Sequence, residues 1–148
     1  MKKIKSLLIS LVAVCLFSAA VFAEGEITVL VDNAAVESDV PAQIISDRAM
    51  LPFRAIFEKF GADVDWDGEY QIITAVKGTT VLNLRIDKPI MVRIDLETQE
   101  MEQVTLDVPP QILNDRTMVP VRAVAEALEA NVDWDPNGRV VKINSREE

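Results

Sequence analysis

The chain contains one segment twice, first as Asp39-Val-Pro-Ala-Gln-Ile-Ile-Ser-Asp-Arg48-Ala-Met-Leu-Pro52-Phe-Arg54-Ala-Ile-Phe-Glu58 and, 68 residues later, as Asp107-Val-Pro-Pro-Gln-Ile-Leu-Asn-Asp-Arg116-Thr-Met-Val-Pro120-Val-Arg122-Ala-Val-Ala-Glu126. The match continues beyond this segment and gives 17 identities over the 37 ungapped positions from Asp39 to Ala75. Self-similarity at one fixed spacing is typical of a repeated structural unit. We therefore predict two units, at about residues 24–86 and about 87–148.

Within each copy, the residue pattern predicts short antiparallel strands and one helix. Apolar runs on either side of Asp32-Asn33 predict a hairpin whose turn residues tolerate a positive φ. Ser46-Asp47 and Asn114-Asp115 lie between apolar pairs and predict a second tight turn in each copy. The predicted fold class is α+β, with two repeated units of antiparallel β-strands, each packed on one α-helix.

Each predicted helix begins near a proline. Pro52 and Pro120 suit the first helical turn, where the missing N–H has no helical partner anyway. The apolar residues that follow recur at helical spacing, which predicts one buried face per helix. These residues are Phe53, Ile56, Phe57 and Phe60 in the first copy and Val121, Val124, Ala125 and Leu128 in the second. Gly61 is a helix-ending residue.

A tryptophan lies on the strand predicted after each helix. Polar and apolar residues alternate there, so Val64 and Trp66 should share one face. We expect Trp66 and Trp134 to pack between helix and sheet, with Phe57 and Leu128 nearby. If the two rings are exposed instead, they could stack on sugars or contact a partner protein.

The first 23 residues predict a secretory signal peptide. A basic start is followed by an apolar run and by Val21-Phe22-Ala23, a small-residue cleavage pattern. The apolar run is shorter than the ~20 residues of a spanning helix, so no integral membrane span is expected after its removal. The one cysteine, Cys15, lies inside this segment and is a candidate for lipidation. The domain proper is then 24–148, secreted or associated with the cell wall.

The mature chain is strongly acidic. It retains 12 basic and 24 acidic residues, a net charge of −12. Such a chain repels nucleic acid and anionic lipid surfaces. Nucleic acid is therefore not an expected partner.

The repeated motifs together resemble the copper amine oxidase N-terminal-like domain. They are the Asp-Val-Pro start, the tight turn ending in Arg48 or Arg116, the Pro-x-Arg-Ala helix entry and the Val-Asp-Trp-Asp strand. The resemblance covers nearly all of the mature chain and implies a stalk-like module held apart from chemistry in secreted or cell-surface proteins. The family tends to have Asn-Gly in the second tight turn, where this chain has Ser46-Asp47 and Asn114-Asp115.

The resemblance does not extend to the oxidase reaction. It implies that the enzyme's copper site needs three histidines and a quinone formed from tyrosine, whereas this chain has no histidine and one tyrosine, Tyr70. Histidine-dependent triads are excluded for the same reason, and a mature chain without cysteine has no thiol nucleophile. We predict a protein that is not an enzyme and has no cofactor.

One repeated motif has an alternative interpretation as a calcium site. Asp63, Asp65 and Asp67, followed by Gly68, match the first half of an EF-hand loop. The twelfth position of that loop is Thr74, where the motif needs glutamate. The alternation favours a half-buried strand with carboxylates facing water, and calcium binding is the alternative.

Charged residues at matching positions are interpreted as structural. Arg54 with Glu58, and Arg122 with Glu126, stand four apart and share a helix face. Arg48 and Arg116 follow the turns. Residues that recur in both copies, including Pro52 and Pro120, most simply serve the shared fold.

The sequence leaves three functional hypotheses. The first is a secreted, non-catalytic binding or spacer module of the cell envelope, whose partner is an unknown protein or a cell-wall polysaccharide. The second is a calcium- or glycan-binding module. The third is a small secreted hydrolase or hydrolase inhibitor, although no nucleophile elbow, phosphate loop or metal cluster accompanies the carboxylates. Edge strands pairing between chains would give a homodimer.

Overall fold

Strands make up most of the fold, and two short helices interrupt them. The computed structural model describes residues 25–146, so the predicted signal peptide 1–23 and Cys15 lie outside the described residues. The helices are α1 (Phe53–Lys59) and α2 (Val121–Ala127). The strands are β1 (Thr28–Val31), β2 (Ala34–Ala35), β3 (Gln43–Ile45), β4 (Arg48–Pro52), β5 (Asp63–Asp67), β6 (Ile72–Lys77), β7 (Thr80–Arg85), β8 (Ile90–Asp95), β9 (Met101–Thr105), β10 (Gln111–Leu113), β11 (Arg116–Pro120), β12 (Asn131–Asp135) and β13 (Val140–Asn144). A mixed α+β fold is confirmed.

The predicted tight turns are present. Asp32 and Asn33 have φ values of 49° and 65°, which fits a type I′ turn between β1 and β2. Both central residues of the turns Ser46-Asp47 and Asn114-Asp115 also have positive φ. The positive φ values of a type I′ turn are therefore present without Asn-Gly. Asparagine and aspartate tolerate this region, and Ser46 adopts it as well, with a φ of 48°.

Each helix buries the predicted apolar face and begins directly after its proline. Pro52 and Pro120 end their strands and immediately precede the helices, so they cap the first turn instead of lying within it. The predicted helix-ending role of Gly61 is confirmed, since its φ is 73°. Two bonds satisfy the last carbonyls there, from the N–H of Gly61 to Glu58 and from that of Ala62 to Phe57.

The strands form three sheets that mix the two halves of the sequence. Their orders are β12-β13-β1-β2, β10-β11-β4-β3 and β5-β6-β7-β8-β9. The hairpin β1-β2 lies beside β13 near the other end of the chain, and the hairpin β8-β9 continues the sheet of β5 to β7. One pairing departs from the predicted antiparallel arrangement, because β1 and β13 run parallel.

The centre of the molecule is the antiparallel pair β4 and β11. Leu51 lies opposite Val119, which is its counterpart in the sequence repeat, and Met50 and Pro52 lie opposite Pro120 and Met118. The two copies of one segment thus pair with each other about a single central residue pair.

The two faces of this central pair are both buried. Leu51 and Val119 belong to the main core together with the apolar faces of both helices. Met50 and Met118 point to the other side, where with Val108 they form a small second core. Both methionines are fully buried, so the two strands are covered on both faces at their centre.

Two ion pairs cross between the repeated segments in a reciprocal manner. Arg48 contacts Asp107, with 2.5 Å between Nη2 and Oδ2, and Arg116 contacts Asp39, whose Oδ2 accepts from Nε at 3.0 Å. Since Asp39 and Asp107 are counterparts in the repeat, each copy donates its arginine to the aspartate of the other. A contact in which i meets j and j meets i is the pattern of a two-fold interface.

The positive φ at Gly61 gives a stability test. A Cβ at this position would meet no atom within 4 Å, so the cost of Gly61→Ala comes from backbone strain alone. We expect a loss of roughly 1–2 kcal/mol in the free energy of unfolding. Gly68→Ala is the matched control, because Gly68 lacks a positive φ and its Cβ would make an ordinary 3.5 Å contact with Trp66. Urea unfolding measures the free energy of unfolding of both variants. Equal losses would contradict the assignment of the Gly61→Ala cost to backbone strain.

The ion pair of Arg116 and Asp39 gives a pH test. The Arg116 guanidinium holds the pKa of Asp39 below its ordinary value of 3.8. A carboxylate with a lowered folded-state pKa stabilises the fold above its ordinary pKa, and this contribution is lost as the pH falls through the folded-state pKa. The melting temperature of Asp39→Asn should therefore be lower than that of the wild type at about pH 6, and this difference should disappear towards about pH 2.

Thermal melts followed by circular dichroism would measure this difference. Glu37→Gln, a change at an exposed carboxylate of the same segment, serves as the control and should not give the same pH-dependent difference. If the melting temperatures of Asp39→Asn and the wild type differ by the same amount down to the lowest pH, the ion-pair interpretation is contradicted.

Candidate functional site

The two tryptophans occupy matching strands but different environments. Trp66 on β5 is half-buried and packs against the main core, whereas Trp134 on β12 is 40% exposed. The prediction that both rings are core residues is therefore wrong for Trp134. Phe57, predicted as a neighbour of Trp66, is fully buried in the same core.

The two tryptophans also differ in the residue that begins the helix before them. In the first copy, the Phe53 ring lies against Trp66 with 6.2 Å between ring centroids, and the Arg54 guanidinium lies 5.1 Å from the Phe53 ring. The position of Phe53 is taken in the second copy by Val121. Valine has no ring, so the tilted contact between Phe53 and Trp66, whose ring planes make an angle of 36°, has no counterpart at Trp134.

Trp134 lies at an open groove between α2, β9 and the sheet of β12 and β13. The groove has a volume of about 990 Å³, near the upper end of the ~300–1,000 Å³ typical of small-molecule sites. Its apolar lining includes Ile44, Val104 and Val132 beside Trp134. The groove therefore presents both an exposed apolar surface and charged side chains.

Arginine side chains are held around the groove by contacts within the protein. Arg122 on α2 donates from Nη1 to the carbonyl of Val132 at 3.1 Å and lies 3.6 Å from Glu126. Val132 precedes Trp134 by two residues on β12, so this bond ties Arg122 to the strand that carries the indole. Arg122 is half exposed, so its outer N–H groups remain available to a ligand.

A second arginine fixes the end of α2. Arg93 on β8 donates from Nε to the carbonyl of Ala127 at 3.0 Å, and its Nη2 lies 3.2 Å from Glu129. A guanidinium at a helix C-terminus satisfies carbonyls that have no helical partner. Glu129 is the counterpart of Gly61 and has a φ of 64°, a region that disfavours glutamate, and the ion pair offsets part of that cost.

The candidate calcium residues do not form a cluster. Asp63, Asp65 and Asp67 are all exposed on β5, and Asp67 Oδ1 accepts from the backbone N–H groups of Glu69 and Tyr70 in the following turn. Within residues 25–146, no group of three acidic, cysteine or histidine side chains is placed to hold a metal ion. The three aspartates thus lie on a strand with their carboxylates facing water, as the alternating pattern indicated.

The paired helix residues behave differently in the two copies. Arg122 and Glu126 form the predicted contact across one helical turn. In the part of the chain that the structure describes, no ion pair joins Arg54 to Glu58, because Arg54 lies over the Phe53 ring instead. Arg48 and Arg116 connect the two copies, a role that their position after the turns did not reveal.

The groove contains residues that the sequence did not indicate as functional. Arg93, Glu102 and Val104 come from segments outside the repeat, and only the fold brings them to the groove that Trp134 lines. The exchange of Phe53 for Val121 was visible in the aligned copies and is the one sequence signal for an open site. Among the described residues, none of the helices is long and apolar enough to cross a membrane.

Alanine substitutions should distinguish the two tryptophans. Trp66→Ala removes a half-buried ring and its aromatic partner, whereas Trp134→Ala removes a ring that is 40% exposed. We expect Trp66→Ala to cost more, by about 1 kcal/mol from the aromatic pair alone. Chemical unfolding of both variants measures the difference, and a larger loss for Trp134→Ala would contradict the description of the site.

Comparison with known proteins gives one family match. The family model for the copper amine oxidase N-terminal domain matches residues 30–143. No curated protein matches the chain. The family takes its name from an accessory domain of the oxidase, separate from the domain that carries the chemistry. Since the match spans more than half of the sequence and both tryptophans, the chain belongs to the copper amine oxidase N-terminal domain family.

Proposed function

We propose that the mature chain, from about Glu24, is a secreted, non-catalytic module of the cell envelope that binds a partner in the groove at Trp134. The observation that carries the proposal is the open groove with an exposed indole, in a domain whose family is an accessory one. Large exposed aromatic side chains in concave sites are typical of binding surfaces.

The groove favours binding over a purely mechanical spacer. A spacer needs rigidity, which the central strands and the reciprocal ion pairs supply, but it needs no exposed indole. Trp134 at 40% exposure loses part of the burial energy that a more buried position, such as that of Trp66, would provide. Retaining a tryptophan at such a position is better explained by a ligand than by stability.

The groove also argues against catalysis. Its lining residues include no cysteine, histidine or serine, so it lacks the nucleophile–base pairs of serine and cysteine hydrolases. Three of its carboxylates, Asp107, Glu126 and Glu129, face arginines. These carboxylates are therefore engaged in contacts within the protein.

The same proposal includes a two-unit architecture. Two copies of one unit, related by an approximate two-fold axis through Leu51 and Val119, would explain the reciprocal ion pairs and the symmetric strand register. The strands of the two units are then interleaved, since β1 and β2 join β13 while β8 and β9 join β7. Neither unit would complete its sheets alone.

Secretion and binding can be tested together in the source organism. A tagged chain should be recovered outside the cytoplasmic membrane with an amino terminus near Glu24, as read by mass spectrometry, because the signal segment is followed by acidic sequence. An intact Met1 in that fraction would contradict secretion through this signal.

The purified mature chain should also capture a component of isolated cell envelopes or culture fluid. Trp134→Ala should abolish the capture, because the indole supplies the exposed apolar area of the groove. Tyr70→Ala is the matched control, since Tyr70 is 55% exposed and does not line the groove. Equal capture by all three proteins would contradict a binding role for the groove.

A further inference from the structure

We infer that the groove at Trp134 binds a neutral oligosaccharide, with one sugar ring stacked on the indole and hydroxyl groups bonded to Arg122 and the neighbouring carboxylates. This inference rests on the proposed function and names the ligand class. Four features of the groove carry it: its charge balance, its fixed polar groups, its exposed ring and its size.

The charge balance excludes strongly charged ligands. The groove has four arginines, Arg48, Arg93, Arg122 and Arg146. They are opposed by five carboxylates, of which Asp107, Glu126 and Glu129 face arginines directly. A polyanion would meet these carboxylates and a chain of net charge −12 after signal removal, and a polycation would find three of the five carboxylates already paired with arginines. A ligand without net charge avoids both costs.

The polar groups are fixed before any ligand binds. The Arg122 guanidinium is held by the Val132 carbonyl at 3.1 Å and by Glu126 at 3.6 Å, yet it remains half exposed. Arg93 is held at Ala127 and Glu129. Planar groups that are already oriented lose little entropy when they bond a ligand, and they offer N–H donors beside carboxylate acceptors. Alternating donors and acceptors suit vicinal hydroxyl groups, which both donate and accept.

The indole supplies the apolar part of the site. Trp134 is 40% exposed at the end of β12, without the phenylalanine that covers its counterpart Trp66. The C–H face of a sugar ring is apolar while its rim carries hydroxyl groups, so it matches an indole surrounded by polar side chains. In the first copy, Phe53 occupies this place, and the same chemistry is unavailable there.

The size of the groove indicates more than one sugar unit. A volume of about 990 Å³ and an open shape suit a chain segment that passes through the groove. Small-molecule sites of ~300 Å³ enclose single compact ligands. We therefore expect the affinity to rise from a monosaccharide to an oligosaccharide.

The test is a titration of the purified mature chain with defined sugars. The neutral probes are cellohexaose, mannohexaose and chitohexaose, and the charged probes are polygalacturonic acid and the deacetylated, cationic form of chitohexaose. Calorimetry gives the affinity, and tryptophan fluorescence reports whether the indole is covered. We expect at least one neutral hexaose to bind with a change in fluorescence, and neither charged probe to bind more tightly.

Matched variants tie the binding to the groove. Trp134→Ala should weaken binding by about tenfold or more, Trp134→Phe should weaken it less because it keeps a ring, and Tyr70→Ala should leave it unchanged. Arg122→Lys should weaken binding while leaving the fluorescence change in place, since a lysine cannot reproduce the planar fork. Circular dichroism of each variant confirms folding, and Trp134→Phe keeps the test valid if Trp134→Ala is unfolded.

The outcomes separate this inference from the proposed function. Absence of binding to all three neutral hexaoses, or binding that Trp134→Ala and Trp134→Phe leave unchanged, overturns the saccharide inference. If the chain then still captures an envelope protein through Trp134, the proposed binding function stands with a protein partner. Tighter binding to either charged probe also overturns the inference, because the charge balance would not govern recognition.

Discussion

The pairing of β4 with β11 is the constraint on which the rest of the structure depends. A one-residue slip would move Leu51 and Val119 away from the helices and place the methionines there, because side chains alternate between faces. It would also displace the prolines that precede both helices. The register is therefore fixed from both faces, by the main core on one side and by Met50 and Met118 on the other.

The reciprocal ion pairs reinforce this register without supplying its energy. Exposed pairs such as Arg116 and Asp39 contribute little, because water and salt screen them, whereas burial of a leucine-sized side chain contributes roughly 1.5–3 kcal/mol. The salt bridges select the arrangement in which each arginine reaches the opposite copy. The apolar contacts beneath them provide most of the stability.

Local features of the fold could be predicted from sequence because local chemistry determines them. The turn at Asn114-Asp115, the end of α1 at Gly61 and the buried helix faces follow from residues within a few positions of each other. The partners of the strands could not be predicted in this way. Alternation shows which face of β1 is buried, but the same pattern is compatible with any neighbour, and its parallel partner β13 lies at the far end of the chain.

The candidate site shows the same division between local and distant causes. Equivalent tryptophans in equivalent strands predicted equivalent burial, and the strand geometry of Trp66 and Trp134 is indeed alike. Their exposure differs because side chains from other elements surround them, above all Phe53 on one side and Val121 on the other. A pattern within one strand carries no information about such neighbours, whereas a comparison of the two aligned helices does.

The loss of the aromatic cover in the second copy is compatible with a stable fold because α2 is held by other contacts. Val121, Val124 and Ala125 are fully buried without a phenylalanine among them, and Arg93 from the neighbouring sheet fixes the end of the helix at Ala127. The helix therefore does not depend on a ring stacked over β12. With the helix position secured from its other sides, the surface between α2 and Trp134 can remain open without loss of the contacts that hold the helix.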